Sequence, residues 1–233
     1  MSYPLRALPA LVRGHWQLLA LSTLVFLLWS TPVVLPLKLL VVLFHELSHL
    51  AMTMATGGQV ESLSVNFRQG GEVWTRGGSR FLILSAGYLG SLMLGAGLFV
   101  AALRSGADRI VLGLLGAVLL AVLMFYVRDP AAVLIVGATG AALLAGARWL
   151  PGAACDLALR VIGLTAMFHV PYDIFDDTLR RSAERSDARM LAEEIGGPTI
   201  FWGGLWLVVA LIVIALVLRH GLGAASNLPL RRR

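Results

Sequence analysis

A chain of 233 residues with 58% apolar residues, 14% charged residues and a mean hydropathy of +0.82 departs sharply from water-soluble domains, in which about a quarter of residues are charged. Its net charge of +6 comes from eighteen arginines and a single lysine; they are scattered among the polar stretches, which suits anionic lipid headgroups and argues against a nucleic-acid surface. The one cysteine, Cys155, rules out an intrachain disulfide and a cysteine-based metal site.

Seven apolar segments follow one another at about 15–30, 33–55, 81–103, 109–127, 131–149, 153–172 and 198–219. Each is near the length a helix needs to cross the hydrocarbon core. The fold class expected is therefore an all-α polytopic membrane protein of about six to seven transmembrane helices, as one integral membrane domain over residues 1–222. No A-x-A-like cleavage pattern follows the first segment, so it reads as a retained anchor. Gly87, Gly90, Gly95 and Gly97 in the third segment, and Gly113 and Gly116 in the fourth, offer small faces for close helix packing. The sixth segment is the least apolar at its ends, with Asp156 and Arg160 in its first turns. Residues 223–233, ending in three arginines, read as a basic, disordered tail.

Two stretches between the apolar segments carry local structure. Leu63, Val65 and Phe67 alternate with Ser62, Ser64 and Asn66, the period of a strand, and a second strand over 72–75 would pair with it across a turn at 68–71. This predicts a short β-hairpin whose edge offers Leu63, Val65 and Phe67 to an extended peptide; an ordinary polar surface hairpin fits the same pattern. In the polar stretch 176–197, Ser186-Asp187 reads as a cap opening a short helix through Glu194, which Gly196-Gly197 would end.

The second segment contains His45-Glu46-Leu47-Ser48-His49. On a helix this spacing sets two imidazoles on one face, one turn apart, where both can reach a single Zn²⁺ with the glutamate beside a metal-bound water. At membrane depth each ionisable group costs roughly 2.5–3.5 kcal/mol, so chance is a poor explanation for three of them together. A zinc site needs a further ligand. His169, Asp173, Asp176 and Asp177 cluster where the sixth segment ends, with Pro171 loosening the helix between them. Asp173, the deepest acid, is the first choice; Asp177 and His169 are alternatives, and Asp176 should turn towards Arg180 or loop water.

Phe44-His45-Glu46-Leu47-Ser48-His49, Thr56-Gly57-Gly58, Ser85-Ala86-Gly87-Tyr88-Leu89-Gly90-Ser91, Tyr172 to Thr178 and Ser186-Asp187-Ala188 occur in that order. The set resembles the compact bacterial branch of the site-2 protease family, the intramembrane zinc metalloproteases, over roughly residues 40–210. The resemblance implies a metal-binding helix, a strand-containing loop after it, an aspartate from a later span as third ligand, and a place in a bacterial cytoplasmic membrane. Two features depart from the family's pattern. The usual third-ligand motif, with Pro followed by Asp-Gly, is missing, and so is the PDZ domain that many relatives carry.

The expected function is hydrolysis of peptide bonds in membrane-spanning substrates, with His45, His49 and an aspartate holding Zn²⁺ and Glu46 acting as general base. The partners expected are the lipid bilayer and a substrate with a transmembrane segment. Three rivals differ in class: a relative that binds metal or client helices without cutting, a transporter or metal carrier, and a metalloprotease using Glu193 or Glu194 as third ligand. The absence of two matching broken-helix halves weighs against transport.

Overall fold

The computed structural model describes residues 8–181, 184–222 and 226–227. Its helices are α1 (Leu8–Leu27), α2 (Leu35–Ala55), α3 (Arg80–Arg104), α4 (Asp108–Tyr126), α5 (Pro130–Trp149), α6 (Gly152–Phe175), α7 (Asp187–Ile195) and α8 (Thr199–Gly221). A 3₁₀ turn (Pro32–Val34) leads into α2, a π-turn (Asp176–Arg180) extends α6, and one hairpin, β1 (Gln59–Val65) and β2 (Gly71–Arg76), follows α2. The expected spans are recovered within a few residues, except that α1 starts well before residue 15.

Among the described residues six helices are long and apolar enough to cross a membrane: α2, α3, α4, α5, α6 and α8, with the flanking turns included in α2 and α6. The fold is that of an all-α polytopic membrane protein. The first apolar segment, α1, is not among the six; its helix is kinked at His15 (φ −133°, ψ 18°). Gly14 next to the kink accepts the backbone N–H groups of Ser226 and Asn227, and the His15 Nδ1 lies 2.6 Å from the Ser226 hydroxyl. Apart from these two docked residues, the tail expected over 223–233 lies outside the described residues.

α2, α3 and α6 are the inner helices, each 61% buried over its most apolar stretch, whereas α4, α5 and α8 are only 22% buried. The outer helices turn residues such as Ile110, Leu114, Phe125, Val208 and Leu211 outwards, as helices facing lipid do. Two apolar cores meet along α6. One joins α2, β1, α4 and α5 around Leu43, Phe44, Leu119 and Leu159; the other joins α3, α7 and α8 around Tyr88, Phe99, Met167 and Trp206.

Glycine sets the closeness of the inner contact. A Cβ placed on Gly163 of α6 would lie 2.6 Å from the Gly95 carbonyl oxygen of α3 and 2.7 Å from the Phe99 nitrogen. Gly95 in turn faces Ala166, and Gly116 of α4 faces the Gly140 carbonyl of α5. Of the small faces anticipated in α3, only Gly97 meets nothing within 4 Å. Bare backbones allow such approach, and packing is what drives association where lipid removes the hydrophobic gain.

The hairpin is antiparallel, with Val65 opposite Gly71 and Gln59 opposite Arg76, and a bulge between Val60 and Ser62. Its turn is closed by Asn66, whose Oδ1 accepts from the Arg68 and Gly70 nitrogens, and by Gln69 in a left-handed conformation (φ 66°). Residue spacing in α7 also matches expectation. Ser186 caps it by accepting from the Arg189 nitrogen at 3.3 Å, and Gly196 and Gly197 end it with φ of 101° and 84°, conformations that glycine adopts without a Cβ clash.

If the α3–α6 contact depends on bare backbone, Gly163→Leu should lower the thermal unfolding midpoint of the detergent-purified protein, by an overpacking cost of about 1–3 kcal/mol. Gly97→Leu should leave it unchanged. Equal midpoints for both variants would contradict the packing argument.

Candidate metal centre

His45 and His49 lie one turn apart on α2, and their rings stand edge to face with centroids 4.7 Å apart. The HExxH spacing thus does what the helix period requires. The acid that meets them is Asp187, the first residue of α7. Its Oδ2 lies 3.0 Å from His45 Nε2 and 3.2 Å from His49 Nε2. Among the described residues these three form the one group of His, Cys, Asp or Glu whose ligand atoms all fall within 4.8 Å of one another.

Hydrogen bonding decides which atoms are free to bind. His49 Nδ1 lies 2.8 Å from the Ile83 carbonyl oxygen. A carbonyl only accepts, so Nδ1 carries the proton and Nε2 offers a lone pair towards Asp187. Asp187 Oδ2 is buried and accepts no well-directed hydrogen bond from any described group, which is costly for a carboxylate unless a positive charge stands between it and its neighbours.

The donor set fits Zn²⁺: two imidazole nitrogens and one carboxylate oxygen leave a coordination position open, as catalytic zinc sites do. Space for an ion is kept by Gly87 of α3. A Cβ there would sit 2.5 Å from His45 Nε2 and 2.6 Å from Asp187 Oδ2.

The three residues weighed as third ligand are placed elsewhere. Asp173 pairs with His169 (Nε2 to Oδ2 3.2 Å), one helical turn away on α6, and the His169 ring packs against Trp29 at 5.4 Å. Asp177 accepts the Tyr88 hydroxyl at 2.5 Å and the Arg181 guanidinium at 2.6 Å. Asp173 and Asp177 line the same cavity as the two histidines without joining the group. The expectation of convergence on Asp173 is therefore corrected to Asp187. Asp176 turns to Arg180 as anticipated, at 3.7 Å, and more closely to Arg181, at 2.7 Å. Glu193 and Glu194 pair with Arg189 and Arg80 on the surface.

Asp187 is not at the end of an apolar span, where a ligand at membrane depth is expected, but opens a polar helix. The signal lay in the pattern behind it. Ala188 and Leu191 follow at helical spacing and are fully buried, so α7 docks on the bundle and its first residue is carried inwards.

Glu46 lies between the histidines in sequence and lines a cavity of about 450 Å³ with them. It is buried, and Gly71 at the start of β2 approaches so closely that a Cβ would stand 2.5 Å from its Oε1. β2 supplies one wall of this cavity, through Gly71 to Thr75. The expectation that Leu63, Val65 and Phe67 form a substrate surface is corrected here. Leu63 and Val65 are wholly buried in the core against α2, and Phe67 is exposed outside the cavity. The alternation of β1 was real, but its apolar side is the inner face of the sheet.

Replacing Asp187 by Ala should abolish stoichiometric zinc in the purified protein, whereas Asp173→Ala should retain it, as read by metal analysis after dialysis. Gly87→Val should also lose zinc by filling the ion's space. Retention of zinc by Asp187→Ala together with loss in Asp173→Ala would reverse the assignment.

Searches of curated proteins and of solved structures return no significant match. A profile described as Peptidase M50B-like matches residues 18–217, a range that holds His45, Glu46, His49, Asp187 and the six candidate spans except for the last turn of α8. The chain belongs to the Peptidase M50B-like family of site-2 protease-like metallopeptidases.

Proposed function

We propose that this protein is an intramembrane zinc metalloprotease that hydrolyses peptide bonds of membrane-spanning substrates. The observation that carries this reading is the meeting of His45, His49 and Asp187 beside Glu46 in one cavity. The protein would act as a single integral unit over residues 1–222, with the bilayer and a substrate transmembrane segment as its partners, in a bacterial cytoplasmic membrane.

His45, His49 and Asp187 are the residues that would hold the metal. Zinc bound there would supply a Lewis acid that acidifies a water and polarises the scissile carbonyl. Glu46 takes a proton from the attacking water as the new C–O bond forms, and returns it to the amine nitrogen as the C–N bond breaks. Its burial beneath Gly71 keeps the carboxylate in a confined space, where it does not exchange freely with bulk solvent. A helical substrate hides its carbonyls in i→i−4 hydrogen bonds and must unwind before attack. The wall formed by β2 is the element suited to hold the unwound segment, since a strand edge satisfies the backbone groups that unwinding releases.

Glu46→Gln keeps the side chain's size while removing the base. The variant should bind zinc like the wild type and cut a reconstituted single-span substrate at least about 100-fold more slowly. Mass spectrometry of the products should place the cut inside the span. Wild-type rates from the Gln variant would overturn the mechanism, and cleavage confined to soluble loops would overturn the substrate class.

A further inference from the structure

The two imidazoles of the centre are held in different ways. His49 is fixed by the Ile83 carbonyl. Among the described residues no hydrogen bond to His45 Nδ1 is seen; its ring is bounded by His49 and by Tyr88, whose ring stands edge-on to it at 4.9 Å and 82°. Metal-bound histidines need a second contact to fix ring orientation, and the edge-on Tyr88 ring is such a contact for His45.

Tyr88 is itself tightly held. It is only 2% exposed and packs on Trp206 at 5.3 Å, and its hydroxyl donates to Asp177 Oδ2 at 2.5 Å. The other oxygen of Asp177 accepts from Arg181 Nη2 at 2.6 Å, while Arg181 Nε holds Asp176 at 2.7 Å. Asp176 and Asp177 sit on the π-turn Asp176–Arg180 that ends α6, which Arg181 closes by bonding its backbone nitrogen to the Asp176 carbonyl at 2.8 Å. Local π-geometry is costly and is kept where it aims a side chain. With both oxygens engaged, Asp177 is committed to Tyr88 and Arg181.

We propose that Tyr88 and Asp177 are positioning residues for the metal centre: Asp177 anchors the Tyr88 hydroxyl, and the anchored ring sets the orientation in which His45 presents Nε2. The proposal rests on the reading of His45 as a metal ligand. It gives the acids at the end of α6 a task other than ligation, and couples that end of the helix to the metal through one aromatic ring. A tyrosine whose hydroxyl is released can tilt, and His45 then samples orientations that do not face Asp187.

The test is zinc affinity, measured on the full chain in detergent by competition with a chromophoric chelator. The proteins compared are wild type, Tyr88→Phe, Asp177→Ala, Asp177→Asn and the Tyr88→Phe/Asp177→Ala double variant. Tyr88→Phe removes one oxygen and keeps the ring in the core, so folding is preserved. It and Asp177→Ala should each weaken zinc binding roughly 10-fold to 100-fold. The double variant should be no weaker than the worse single one, because both changes break the same bond. Asp177→Asn, which keeps an acceptor for the hydroxyl, should recover most of the affinity. Zinc binding within about twofold of wild type in Tyr88→Phe, or losses that add in the double variant, would overturn the positioning role alone. A wild-type protein that binds no zinc would overturn the metalloprotease reading beneath it.

Discussion

Two imidazole nitrogens and a carboxylate oxygen face one another across a few ångströms in the interior of this protein. Lone pairs brought together in a space of low polarity repel unless a cation lies between them, and a carboxylate oxygen with no hydrogen-bond donor is among the costlier groups to bury. The rest of the molecule is arranged so that this meeting occurs. α2 brings the histidines, α3 fixes one of them through the Ile83 carbonyl, and α7 carries the acid in from outside the spans.

Close approach is made possible by missing side chains. Gly87 leaves room where His45 and Asp187 converge, Gly71 lets the hairpin rest on Glu46, and Gly90 accommodates Ser48 of α2. The same device sets α3 against α6 through Gly95 and Gly163. Packing and chemistry therefore draw on one resource. On α3 the glycines that admit its neighbours, Gly90 towards Ser48 and Gly95 towards α6, flank the one that leaves room beside His45 and Asp187, Gly87, in a single series.

Much of this was legible from residue order. The HExxH spacing on an apolar helix, the hairpin with its turn at 68–71, and the short helix between Ser186 and Gly196 all follow from local periodicity and capping. What periodicity could not decide was the partner of the histidines. Asp173 ends an apolar span and Asp187 opens a polar helix, and only tertiary packing decides which of them meets the histidines. Asp173 spends its charge on His169 within its own helix, whereas α7 is drawn inwards by Ala188 and Leu191. The facing of β1 was ambiguous for a similar reason, since alternation reveals two faces without saying which is buried. The kink of α1 at His15, where the chain meets Ser226 and Asn227 more than 200 residues away in sequence, has no local signature either.

The central claim is that one ion is shared by residues of α2 and α7. Anomalous diffraction at the zinc edge from crystals of the zinc-loaded protein tests it most directly. A single strong peak is expected, bounded by His45 Nε2, His49 Nε2 and an Asp187 carboxylate oxygen, at ligand distances of about 2.0–2.2 Å. A peak beside His169 and Asp173, or no peak near the two histidines in a protein that carries stoichiometric zinc, would contradict it.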